Sequence, residues 1–129
     1  MNHLATREAA LNGTRVLLVE DDFILLVELE FILAEAGAEV VGMCRTIGEA
    51  VAFVEREDFA AAVLDIRLGQ ETISPVARRL TQRGIPFVFY TGQVETDPIR
   101  AEWPACRIVP KPAQPRAIVA AVTDLLRRH

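Results

Sequence analysis

Short unbroken apolar runs alternate along the chain with longer stretches in which apolar residues recur every three or four positions. The runs are Arg15–Val19, Ala38–Met43, a stretch from Ala60 that ends abruptly at Asp65, Ile85–Tyr90 and Cys106–Val109. Continuous apolar character over so few residues fits strands buried on both faces of a parallel sheet. The periodic stretches between them read as helices. Asp22 caps the first, which Gly37 stops, and Thr46-Ile-Gly-Glu49 is a capping box for a second running to about Glu57. Ser74 is read as the cap of a third, with Pro75 at its first helical position and Gly84 at its end. Asp97-Pro98 starts a fourth that Pro104 stops early, and Gln114-Pro115 opens a fifth with Ile118, Val122 and Leu125 on its core side. So short a fourth helix has little stability of its own, which marks Gly92–Ala105 as the mobile part. Met1–Gly13 has no periodic partner and reads as a frayed tail ahead of one domain spanning 14–129. Strand-then-helix units repeated without a break predict an α/β, doubly wound, five-stranded parallel sheet with helices on both faces.

The first helix departs from this regular picture. Leu25, Leu29, Ile32, Leu33 and Ala36 share one face and form the expected core stripe, yet Phe23, Val27 and Phe31 fall almost opposite. A second apolar ridge suits a docking or dimer face, or rings tucked beneath the neighbouring tail or helix.

Composition narrows the function. A chain of 129 residues is one domain by length, with a hydrophobic fraction of 51% and a charged fraction of 25%, a globular balance. The formal net charge of -4 argues against nonspecific nucleic-acid binding, which needs a basic face. No apolar run is long enough to span a bilayer, and the first residues lack the apolar segment of a secretory peptide, so a cytoplasmic location is expected. Cys44 and Cys106 have neither a Cys-x-x-Cys nor a zinc-ligand spacing and read as buried free thiols.

The chemistry gathers at the carboxyl ends of the strands, where ligands bind in open α/β sheets. The first strand brings Glu20 and Asp21, the third Asp65, the fourth Thr91 and the fifth Lys111. Three carboxylates packed together repel, one pair at 4 Å costing about 4 kcal/mol at an effective dielectric of 20. Such a cluster stays ionised only with a cation nearby; Lys111 supplies one charge, and hard oxygen ligands with room for water suit Mg²⁺. A divalent ion, a lysine, a hydroxyl and a carboxylate nucleophile are together what phosphoryl transfer to a carboxylate requires.

The segments Val16-Leu-Leu-Val-Glu-Asp-Asp22, Val63-Leu-Asp65, Tyr90-Thr-Gly92 and Lys111-Pro112, in this order and spacing, resemble the receiver domain of bacterial two-component response regulators, the CheY-like superfamily. The resemblance runs from about Thr14 to the end of the chain. It implies the strand order 2-1-3-4-5 with a short or irregular fourth helix. It also implies Asp65 as phosphoacceptor, Thr91 as switch hydroxyl and Lys111 as the phosphoryl-binding lysine. Mg²⁺ would be held by Asp21, Asp65 and the main-chain carbonyl of Arg67, with Glu20 acting more through water. Asp22 reads as the helix cap rather than a ligand. The family's Lys-Pro bond is often cis, so a cis Lys111–Pro112 bond is expected. By the same resemblance the chain is a phosphoacceptor rather than an enzyme, with slow autodephosphorylation at most. It would be a single-domain regulator phosphorylated by a sensor histidine kinase, acting on an unidentified downstream protein or as a phosphate sink, and able to form a homodimer.

Several positions depart from the common receiver pattern. Leu68-Gly69 and Thr72-Ile73 stand where a Met-Pro and an Asp-Gly usually organise the next helix. Arg67 and Gln93 occupy the places expected to govern access of water to the acyl phosphate. Ile108 replaces the Tyr or Phe that many receivers carry three residues before the lysine. Pro86-Phe-Val-Phe-Tyr-Thr-Gly92 resembles instead the Phe-Ala-Thr-Gly signature of an alphaproteobacterial, often stand-alone, receiver subfamily. Two other readings compete. An aspartyl phosphohydrolase needs a second acid two residues after the nucleophile, where this chain has Arg67; a receiver-like interaction module would work without phosphate.

Overall fold

A computed structural model describes residues 10–92 and 98–127. In chain order they form β1 (Arg15–Val19), α1 (Phe23–Glu35), β2 (Glu39–Cys44), α2 (Ile47–Arg56), β3 (Ala61–Leu64), the two-residue strands β4 (Arg67–Leu68) and β5 (Glu71–Thr72), α3 (Ser74–Arg83), β6 (Phe87–Thr91), α4 (Ile99–Glu102), β7 (Ile108–Pro110) and α5 (Pro115–Arg127). The main sheet has the order β2-β1-β3-β6-β7 with every pairing parallel. Without the small β4–β5 ladder this is the expected 2-1-3-4-5 order. Successive residues of β1 face opposite sides: Val16 and Leu18 pack with α1 and α5, Leu17 and Val19 with α2 and α3. Burial on both faces is why the strands read as unbroken apolar runs rather than alternating ones.

Three local expectations change. On α1 the buried residues are Leu26, Leu29 and Leu33, whereas Leu25 and Ile32 are only half-buried. The helix is apolar almost all round, so no polar face fixed the position of its core stripe, and packing against α5 and β1 turned it toward Leu26. Phe23, Ile24, Val27 and Phe31 are left 56%, 71%, 41% and 65% exposed, a continuous apolar ridge among the described residues. At α3, Ser74 is not the cap. The cap position is Ile73, without a capping side chain, because the β4–β5 ladder closes with Ile73 N donating to Ile66 O at 2.8 Å and starts the helix early. The chain between β3 and α3 is thus largely this hairpin. Finally, part of the stretch read as a frayed tail is docked: Leu11 is buried in the α1–α5 core and its N–H donates to Ala36 O at 2.8 Å.

The other helix ends follow the sequence. Asp22 caps α1 by accepting from the N–H groups of Ile24 and Leu25. Thr46 caps α2 through Glu49 N, while the Glu49 carboxylate reaches back to Arg45 N at 2.8 Å, one residue ahead of the cap. Asp97, expected to open α4, lies outside the described residues, as does Gln93. The expected mobility of Gly92–Ala105 likewise falls on 93–97, outside the described residues. From Pro98 onward the segment is tied to α3. The Glu102 carboxylate accepts from Ser74 Oγ and from Arg78, both at 3.0 Å, and Trp103 Nε1 donates to Thr81 Oγ1 at 3.3 Å. The Trp103 ring also meets Phe87 edge-on, centroids 6.2 Å apart.

One close approach governs the sheet edge. The β1–β2 register shifts between Val16 and Leu17, and Gly42 follows that irregularity in β2. A Cβ placed on Gly42 would lie 2.6 Å from the Phe53 ring on α2, and that ring is itself packed against Phe59. Gly42→Ala is therefore expected to cost about 1–3 kcal/mol in urea unfolding through overpacking. Adding Phe53→Leu should recover part of the loss; an unchanged midpoint for the single variant would contradict the account.

Candidate functional site

Parallel pairing brings the carboxyl ends of all the main strands to one edge, and the backbone fixes their mutual positions. Asp65 N donates to Val19 O, Glu20 N to Cys44 O and Lys111 N to Thr91 O, each at 3.0 Å. Just beyond these bonds the side chains of Glu20, Asp21 and Asp65 converge, offering oxygens that all lie within 4.8 Å of one another. Glu20 and Asp65 are buried, and Asp21 is the most open of the three.

Lys111 reaches across this group. Its Nζ donates to Asp65 Oδ2 at 2.8 Å and lies 2.7 Å from Glu20 Oε1, with the Tyr90 ring centroid 5.7 Å away. The contact with Glu20 is close enough for an ion pair but poorly angled, so that buried Oε1 makes no hydrogen bond of its own. Burial pushes the Glu20 carboxyl up from 4.5 to about 7; Lys111 and the Asp22 N–H act against this, and the Asp65 charge reinforces it. Burial acts to lower the Lys111 ammonium, but the hydrogen bond to Asp65 and the attraction of the Asp65 and Glu20 carboxylates outweigh it and leave the pKa raised.

Such a group fits a divalent cation. Three carboxylates converge on one ammonium, a buried carboxylate oxygen makes no hydrogen bond beyond its ion pair with Lys111, and every ligand is a hard oxygen. Among the described residues no other cluster of this kind occurs. Thr91, fully buried, ends β6 on the same edge, and its carbonyl receives the Lys111 N–H. Arg67 sits two residues past Asp65 in the small ladder, opposite Thr72. The Lys111–Pro112 bond is cis, as expected. Ile108 is half-buried beside Phe89 at the position where a rotating aromatic was missed.

Two contributors were not legible. Arg45 directly follows β2, and its guanidinium donates to Asp21 O from Nε at 3.3 Å and from a terminal nitrogen at 3.1 Å. Gly69, at φ +63° in the β4–β5 turn, donates its N–H to Asp21 Oδ2 at 2.8 Å. A cation directly after an apolar strand was the available signal for Arg45. Nothing in the sequence announced the Gly69 contact, because it depends on how the hairpin folds back.

Comparison with known proteins agrees with this geometry. The chain is 28% identical over 126 residues to the phyllosphere-induced regulator PhyR of Methylorubrum extorquens, covering 95% of this chain and 47% of that protein. The response regulator PhyR from Brucella abortus superposes with a TM-score of 0.78 at 23% identity, over 99% of this chain and 54% of that one. A CheY-like receiver domain protein from Methanospirillum hungatei gives 0.80 at 26% identity, over 91% of this chain and 96% of that one. The chain thus spans about half the length of the PhyR proteins it matches. Residues 16–123, which carry every strand end assembled above, match the response regulator receiver domain, and the chain belongs to that family.

Proposed function

We propose that Asp65 accepts a phosphoryl group from a sensor histidine kinase and that the phosphorylated domain acts through partner binding or by draining phosphate. The observation that carries this reading is the placement of the Lys111 ammonium on Asp65 beside a cation-ready pair of acids. A carboxylate oxygen of Asp65 attacks phosphorus, the bond from phosphorus to the donor's nitrogen breaks, and an acyl phosphate results. Lys111 turns from the carboxylate to a phosphoryl oxygen, and the Thr91 hydroxyl donates to another. Mg²⁺, held by Asp21, Asp65 and the Arg67 carbonyl with Glu20 behind them, would neutralise phosphoryl charge. The reaction leaves the protein modified, so the chain is a phosphoacceptor rather than an enzyme with turnover.

The wild-type chain, incubated with acetyl phosphate and Mg²⁺, is expected to gain one phosphoryl group in intact mass, and hydroxylamine should remove it as it removes acyl phosphates. No gain, or a gain that resists hydroxylamine, would overturn the reading. PhyR from Bartonella quintana is an anti-anti-sigma factor, and its likeness to this chain supports a partner-binding output here as well. The similarity to PhyR also supports the placement in the alphaproteobacterial subfamily with a Phe-Ala-Thr-Gly-like motif.

The exposed ridge of Phe23, Val27 and Phe31 adjoins the acidic edge at the start of α1 and suits a kinase docking face. Phe31→Ser is expected to slow transfer from the kinase several-fold and to leave uptake from acetyl phosphate unchanged. Equal slowing with both donors would assign the residue to folding instead.

A further inference from the structure

Asp21 is held from two sides by groups outside the acid cluster. On one side the Gly69 N–H takes a carboxylate oxygen. On the other the Arg45 guanidinium places two N–H groups on the Asp21 carbonyl. Arg45 is itself fixed at both ends. Its backbone N–H is bound by the Glu49 carboxylate, and its guanidinium carbon stands 5.6 Å from the centroid of the exposed Phe23 ring, within cation–π range. The chain therefore joins the end of β2, the start of α1 and the acid nearest solvent through one planar cation.

We propose that Arg45 is a positioning residue for the acidic centre: by pinning the Asp21 main chain against Phe23, it sets the affinity of the cluster for a divalent cation. This rests on the cation-binding reading of that cluster. Two effects of the arginine oppose each other. Its positive charge near the site repels a second cation, whereas its hydrogen bonds remove backbone freedom that Asp21 would otherwise lose on binding. Its contacts favour positioning, because the guanidinium is committed to a carbonyl and a ring rather than to any of the three carboxylates. Outer-shell groups of this kind set metal affinity, and their loss weakens binding by roughly tenfold or more. Lysine cannot replace the fork, since a single ammonium neither places two N–H groups on one carbonyl nor stacks flat on a ring.

The test is calorimetric titration of the whole chain with Mg²⁺ alone, at a temperature well below the melting point of each variant. Arg45→Ala is expected to weaken binding roughly tenfold and Arg45→Lys to recover little of it, with Phe23→Leu giving a smaller loss. Unchanged or tighter binding in Arg45→Ala would show that the arginine does not position Asp21 for the cation and would overturn the proposal, as would Arg45→Lys binding like the wild type. Arg45→Lys and Phe23→Leu keep the question answerable should the alanine variant fold poorly. Asp21→Asn separates the two levels. Loss of binding there with full binding in Arg45→Ala would overturn the role of Arg45 alone, whereas a wild type that takes up no Mg²⁺ would overturn the cation reading and this proposal with it.

Discussion

Asp65→Asn is expected to reduce phosphoryl uptake from acetyl phosphate to the level of a denatured control, while the chain stays folded. The amide retains an oxygen that can accept the Lys111 hydrogen bond, so the 2.8 Å contact has a substitute. It is nonetheless a poor nucleophile, and the attack on phosphorus fails at its first step. The substitution also removes one of three mutually repelling carboxylates, and the Asp65 charge is one of the influences that raise Glu20. Without Mg²⁺ the variant should therefore melt no lower than the wild type, and Glu20 should titrate closer to its ordinary value. Intact-mass measurement and thermal melting check both halves. Phosphate mass retained at the wild-type level would mean that another residue is the acceptor.

Lys111→Met is expected to have the largest effect on stability, and one that depends on pH. The ammonium is the cation that Glu20 and Asp65 share, and those side chains are 2% and 9% exposed. Breaking a buried pair by removing one partner costs about 3–5 kcal/mol, because the remaining charge is left without compensation. For a domain of this size that corresponds to a fall in melting temperature of roughly 10–20 °C.

The pH dependence follows from proton uptake. Burial raises Glu20 from the ordinary 4.5 to about 7 in the folded chain, so between those limits the folded state binds more protons than the unfolded one. Stability then falls as pH rises through that window. Loss of Lys111 leaves only the Asp22 N–H to hold Glu20 down, so its folded pKa rises further and the window extends upward. The variant should accordingly unfold much more readily at pH 8 than at pH 5.5, and Mg²⁺ should restore part of the deficit at pH 8. Urea unfolding at the two pH values, with and without the metal, provides the check; a deficit independent of pH would contradict a charge-based role. In the wild type, the contribution of the raised Lys111 itself is complete below 10.5 and is lost only as pH climbs through its folded value.

Most of the fold was legible because both-face burial writes strands as plain apolar runs, and because capping residues such as Asp22 and Thr46 act locally. The site was legible for a related reason. A parallel sheet sends every strand end to one edge, so Glu20, Asp21, Asp65, Thr91 and Lys111 could be assembled from order alone. What escaped depends on rotation and return of the chain. A helix that is apolar all round does not say whether Leu25 or Leu26 faces the sheet. A serine before proline looks like a cap unless the hairpin ahead of it is known, and Ser74 in fact serves Glu102. Gly69 reaches Asp21 only through that same hairpin. Arg45 follows an apolar run, but β2 lies at the sheet's margin, and no pattern in the sequence says that the side chain turns back to the Asp21 carbonyl.

Trp103 is the chain's single tryptophan, and it stands where α4 meets α3 and β6. Its indole couples an exposed-to-buried boundary to a hydrogen bond and an aromatic edge, and both influence emission colour and quantum yield. The protein consequently carries an intrinsic optical gauge of the α3–α4 junction. Rapid-mixing fluorescence, with no label attached, can time any rearrangement of that junction after acetyl phosphate and Mg²⁺ are added.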